Sequence, residues 1–173
     1  MWTEPDPVIS LVRRRASIET DEEDYLRLCM NEVIQNIDDH AKSEIGGIWC
    51  ARFIGAAGEV RVAIVDRGLG IQRTLAQRYP KVNSSVQALQ CVFEGNYSSK
   101  SRKNNMGVGI SNLAKIISLK NGNLSIFSGD GLADIRHGES PRFKKTPFCF
   151  PGTGVFFTLS TRGEHADRGE QDE

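Results

Sequence analysis

The chain has 173 residues, enough for one ordinary domain with a single sizeable core, and its 22 lysines and arginines equal its 22 aspartates and glutamates, for a formal net charge of zero. That balance excludes a global electrostatic pull toward nucleic acid or anionic membrane, so a partner has to be recognised by local chemistry. The four cysteines, Cys29, Cys50, Cys91 and Cys149, form no CxxC pair, which argues against a structural zinc site and against a disulfide framework.

The first ten residues carry acids and prolines where a secretory leader needs basic residues and then an apolar run. No later apolar stretch approaches membrane-spanning length, so a soluble, cytoplasmic protein without a membrane partner is expected. Residues 1–19 read as an N-terminal extension, and whether its apolar stretch Val8 to Val12 adds as a strand to a second subunit, making a homodimer, stays open. Thr20-Asp-Glu-Glu23 has the form of a capping box, with acids in the first turn. From there Leu26, Cys29, Met30, Val33 and Ile37 recur at three- and four-residue steps, predicting a helix to about Ala41, closed by Gly46-Gly47.

Ile48 to Ile54 and Val60 to Val65 read as a hairpin joined by Gly55-Ala-Ala-Gly58. Gln72 to Phe93 is weakly helical, with Pro80 as a break and Asn83-Ser84-Ser85 as a fresh helix start. Asn96 to Asn105 has no apolar face to bury and reads as an exposed loop. Ile110, Leu113, Ala114, Ile116 and Ile117 mark another amphipathic helix, ended at Asn121-Gly122 in the glycine manner. Strands are expected at Leu124 to Phe127, at a partner segment near Leu132 to Arg136, and at Val155 to Thr161. Between the last two lies a polar excursion, Gly138 to Pro151, read as a solvated loop whose Arg142, Lys144, Lys145 and Phe148 also suit a partner surface. The interleaving predicts an α+β fold: a two-layer sandwich over residues 20–162 with a mixed, mostly antiparallel sheet and helices on one face, then a charged, disordered tail over 163–173.

Three constellations carry chemistry. Glu32, Asn36 and His40 stand at i, i+4 and i+8, on one side of the first long helix. Beside a phosphate chain, an amide oxygen can complete a magnesium shell and a carboxylate one turn away can accept a proton, although a solvated helix face has the same pattern. Asp66-Arg-Gly68-Leu-Gly70-Ile71 directly follows a strand. There the acid can accept from the exocyclic amine of adenine and the missing side chains let backbone approach the ring; a plain strand-to-loop turn explains the residues equally. Gly107-Val108-Gly109-Ile110 opens a helix and closes the loop holding Lys100, Arg102 and Lys103, a combination suited to phosphate or to a simple glycine cap. Pro151-Gly152-Thr153-Gly154 offers a hydroxyl at the entrance to the last strand. No GxxxxGK with a following serine or threonine occurs, and neither glycine pair carries a third glycine, so the P-loop and dinucleotide folds are disfavoured.

In order, these pieces resemble the GHKL superfamily, named for gyrase, the heat-shock chaperone, histidine kinases and the mismatch-repair ATPase. Asn31 to Ala41 resembles its N box, Asp66 to Ile71 its first glycine box, Gly107 to Ile110 its second, and Gly152-Thr153 its third. Phe93-Glu94 with Tyr97-Ser-Ser-Lys100 resembles the phenylalanine stretch and lid start of histidine kinases. The likeness spans about Thr20 to Ser160. It implies a Bergerat-type ATP-binding domain in which Glu32 orients or deprotonates the nucleophile, Asn36 holds magnesium, His40 is the N-box histidine and Asp66 binds the adenine amine. Thr153 would support that pocket, Asn96 to Met106 would be the ATP lid, and Lys100 is the candidate phosphate contact.

No histidine precedes His40, so histidine autophosphorylation in cis is not expected of these residues. The expected function is a stand-alone module that uses magnesium-ATP as a conformational or regulatory switch toward a protein partner, with slow hydrolysis. The alternative is a serine kinase like the anti-sigma kinases, and a scaffold that binds no nucleotide is less favoured because Glu32, Asn36, Asp66 and the glycines are all present.

Overall fold

Five helices and four strands follow one another along the described part of a computed structural model, which covers residues 6–15, 19–36, 46–94 and 108–160, without the side chains at 32, 36, 108 and 109. In chain order they are α1 (Asp6–Arg15), α2 (Thr20–Asn36), β1 (Gly47–Ile54), β2 (Glu59–Asp66), α3 (Gly70–Ala76), α4 (Ser85–Phe93), α5 (Val108–Leu119), β3 (Leu124–Ile135) and β4 (Arg142–Ser160). The sheet order is β1-β2-β4-β3, and every described pairing is antiparallel. The expected two-layer α+β sandwich is therefore present, with an antiparallel sheet throughout the described residues.

Alternation along the strands sets the two faces. Val60, Val62 and Ile64 of β2 and Val155, Phe157 and Leu159 of β4 point inward and are almost wholly buried. They form one core with Leu26 and Met30 of α2 and Leu113 and Ile117 of α5. The β1–β2 hairpin has the expected loop, and Gly58 at φ 62° takes its left-handed position.

The apolar stretch Val8 to Val12 is not an added strand. It forms the buried side of α1, where Val8, Ile9 and Val12 belong to the same core as the sheet. Two ion pairs, Asp6 with Arg27 and Arg13 with Glu23 at 3.6 Å, tie it to α2, and the Arg15 guanidinium lies 4.9 Å from the centre of the Phe53 ring on β1. The capping of α2 is displaced by one residue from the expected box: Glu22, not Glu23, reaches back, accepting the Glu19 N–H at 3.0 Å. At Ser84 the expected start of α4 is found, its hydroxyl accepting from the Gln87 N–H.

The end of α5 corrects the glycine stop. Asn121, at φ 49°, occupies the left-handed position, while Gly122 N–H bonds the Ile117 carbonyl and Asn121 N–H that of Ser118, a Schellman arrangement. Gly122 is required for another reason, since a Cβ there would lie 2.0 Å from the Thr158 carbonyl oxygen.

The segment near Leu132 to Arg136 is the second half of β3. Ser125 and Asp134 are nine residues apart, about 30 Å in a straight strand, yet their side chains hydrogen-bond at 3.1 Å. β3 therefore doubles back, and Gly129 at φ 59° lies at the register break where it does so. The polar excursion is likewise not a loop from end to end: β4 begins at Arg142, and Arg142 to Lys145 pair with Asp134 to Gly131.

Candidate functional site

β2 delivers Asp66 to the edge of the core, where the residue is only 4% exposed. Its Oδ1 accepts the Gly68 N–H at 2.6 Å, and the backbone N–H and hydroxyl of Thr153 also donate to the carboxylate. Burial pushes the Asp66 carboxyl above the ordinary carboxylate range, and these three donors only partly offset that. Gly152, at φ 90°, makes the approach of β4 possible, because a Cβ would stand 2.4 Å from the Asp66 carbonyl oxygen and 2.6 Å from Oδ1.

A residue that the motif analysis passed over completes this corner. Ser128 of β3 is 2% exposed; its hydroxyl accepts from the Ile71 N–H at 2.8 Å and donates to the Gly152 carbonyl at 3.0 Å. One serine thus joins the start of α3, β3 and β4. Gly70, at φ 76°, lets that contact form, since a Cβ would meet the Ser128 oxygen at 2.9 Å. The available signal was a polar residue continuing the inward alternation of Leu124 and Ile126. Ser128→Ala is expected to lower apo stability by about 1–3 kcal/mol, because a buried N–H loses its acceptor; a denaturant melt measures it.

The two helices bearing the other motifs can be placed relative to this corner by their far ends. The Lys120 amine, just past α5, lies 2.7 Å from Glu22 in the first turn of α2, while α2 and α5 pack along each other. The helices are therefore antiparallel, and the C-terminal end of α2, with Asn36, lies at the same end as the start of α5, with Val108 and Gly109. Burial penalises the Glu22 charge, but the hydrogen bond and charge of Lys120, with the Glu19 N–H, hold its carboxyl below the ordinary range. Ser160 N–H bonds the Lys120 carbonyl, so the end of β4 lies beside the end of α5; from there β4 runs back to Thr153. Its Gly154 pairs with Val65, one residue before Asp66. Hence Asp66, Gly68, Gly70, Ile71 and Thr153 share one end of the sandwich with both helix ends.

Glu32 lies on α2 one turn before Asn36, and neither side chain is among those described. His40, Lys100 and Gly107, and the expected lid Asn96 to Met106, lie outside the described residues. Among those described, no group of three or more histidine, cysteine, aspartate or glutamate side chains gathers for a metal ion, and no helix is long and apolar enough to cross a membrane.

Chemically, the corner offers a buried acceptor held by fixed donors and flanked by glycine backbone, at the same end of the sandwich as the start of a helix whose first N–H groups are unpaired within the helix. The family model for histidine kinase-, DNA gyrase B- and HSP90-like ATPases matches residues 21–162. No curated protein matches the chain. Among solved structures, the chain is similar to the crystal structure of the 43K ATPase domain of Thermus thermophilus gyrase B in complex with an aminocoumarin. That match has 17% identity and a TM-score of 0.37, and spans 89% of this chain but 39% of that one. With the family match running from the first turn of α2 to just past β4, the chain belongs to the histidine kinase-, DNA gyrase B- and HSP90-like ATPase family.

Proposed function

We propose that this ATP-binding domain takes the adenine amine of magnesium-ATP on Asp66, with the triphosphate directed toward the end of α2 and the start of α5, and uses the nucleotide as a regulatory switch with slow hydrolysis. The observation that carries the adenine assignment is the state of Asp66: a buried carboxylate, acceptor only, with a spare lone pair beside two glycines. A ligand N–H is a donor that such a group can accept. Gly107, Val108 and Gly109 would present N–H groups to phosphate, and Lys100 a cation. In the sequence, Asn36 and His40 follow Glu32 at steps of four residues. Bound magnesium would offset triphosphate charge, and Asn36 would supply its protein oxygen. Glu32 would accept the proton of the attacking water.

Saturating magnesium-ATP, at about a hundred times its Kd, is expected to stabilise the fold by about 2.7 kcal/mol. For a chain of this length that raises the melting temperature by roughly 5–10 °C. A well-folded sample with no shift, or an equal shift with magnesium-GTP, would sink the adenine assignment. Glu32→Ala is expected to keep the shift and to lose phosphate release; loss of both would show that Glu32 binds instead. Transfer of label from ATP to a serine of a partner protein, in place of free phosphate, would establish the kinase alternative.

A further inference from the structure

The face of the sheet turned away from the helices carries an arrangement that the nucleotide corner does not use. Arg52 of β1 and Arg61 of β2 stand directly opposite each other in the ladder, both exposed. Like charges in that position repel and weaken a strand pair. With Arg136 they line one hollow of about 670 Å³, floored by Ala63 and Phe156. Arg61 donates to Glu59 at 3.0 Å and Arg136 pairs with Asp134 at 3.0 Å, while Arg52 has no carboxylate partner among the described residues.

The apolar surface of this face continues from the hollow. Phe156 meets Phe127 edge-on at 5.8 Å, and Phe127 stacks with Phe148 at 6.0 Å. Phe148 is 51% exposed and Ile48, on the same face of β1, is 69% exposed. Exposed apolar and aromatic surface beside arginine side chains is characteristic of a protein contact.

We propose that this face docks an acidic, partly apolar segment of a partner protein, its carboxylates entering among Arg52, Arg61 and Arg136 and its apolar side chains covering Phe156 and Phe148. A carboxylate fits the planar guanidinium fork and would remove the repulsion between Arg52 and Arg61. Nucleic acid fits less well: Glu59 and Asp134 alternate with the arginines, and the chain has no net positive charge to hold a regular row of phosphates. The surface lies across the sheet from the helices, so its occupancy does not depend on the nucleotide assignment.

The test uses the full chain without nucleotide. Anisotropy is followed with a labelled glutamate–leucine repeat peptide, its lysine–leucine counterpart and a single-stranded oligonucleotide, each alone. The glutamate peptide is expected to bind, the other two not. Arg52→Glu, and more mildly Arg52→Gln, should weaken it, the former by roughly tenfold or more, with a melt no lower than that of the wild type, since hydrogen bonds to charged groups are strong and the like-charge pair with Arg61 is removed. Lys115→Glu, on exposed α5 surface, should have no effect. Binding of the lysine peptide equally well, preference for the oligonucleotide, Arg52→Glu binding as the wild type does, or self-association that Arg52→Glu abolishes would each overturn the proposal.

Discussion

Asp66→Asn is expected to cut the ATP-dependent rise in melting temperature by half or more while leaving the nucleotide-free fold standing. Gly68 N–H, Thr153 N–H and the Thr153 hydroxyl all donate to this carboxylate, and an adenine amine would be a further donor. Asparagine replaces part of the acceptor capacity with an NH2 group, so one donor must face another. A buried donor left unsatisfied costs about 1–3 kcal/mol, and affinity should fall by roughly ten- to a hundredfold or more. In the apo protein the same change removes the penalty of burying a charge, which offsets the lost hydrogen bond, so its melt should move little.

The pH dependence separates the two effects. Because the folded carboxyl titrates above its ordinary 3.8, the native state holds this proton more tightly than the unfolded chain. The resulting stability is fully present below 3.8 and is lost as pH rises through the higher folded value. Asp66→Asn should flatten that part of the stability–pH curve. An unchanged ATP shift in the variant would overturn the adenine role, and an unchanged pH curve would show that Asp66 is not held in the unfavourable environment described.

Deleting residues 1–18 is expected to unfold the protein or leave it aggregated. Val8, Ile9 and Val12 are at most 1% exposed and belong to the core shared by α2 and the sheet. Fully burying an aliphatic side chain is worth about 1.5–3 kcal/mol, so the three together contribute about 5–9 kcal/mol. That is comparable with the whole stability of an ordinary domain, about 5–15 kcal/mol. Circular dichroism of a chain starting at Glu19 checks it. Ile9→Ala, costing about 2–5 kcal/mol in a denaturant melt, keeps the test informative if the deletion cannot be purified. A truncated chain that melts as the full one does would mean α1 is an accessory and not part of the core.

Local signals made part of this protein legible. The β1–β2 hairpin, the start of α4 at Ser84 and the apolar stripes of α2 and α5 each rest on residues within a few positions of one another. Asp66, Gly68 and Gly70 could be picked out for the same reason, a carboxylate and two glycines directly after a strand. The family likeness needed only their order along the chain.

What stayed hidden depends on pairings between distant positions. Val8 to Val12 carries an apolar pattern too short to tell helix from strand, and packing against α2 and β1 decided for helix. Ser128 became part of the corner because it meets Ile71, 57 residues earlier, and Gly152, 24 residues later. Arg52 and Arg61 are ordinary polar residues until strand register sets them face to face. Sequence alone thus marked the β1–β2 hairpin, the start of α4, the apolar stripes of α2 and α5 and the family, since propensity, capping and motif order are properties of neighbouring residues. Only the tertiary structure decided the burial of Asp66, the serine link and the arginine pair, because burial and register exist only after distant segments have packed.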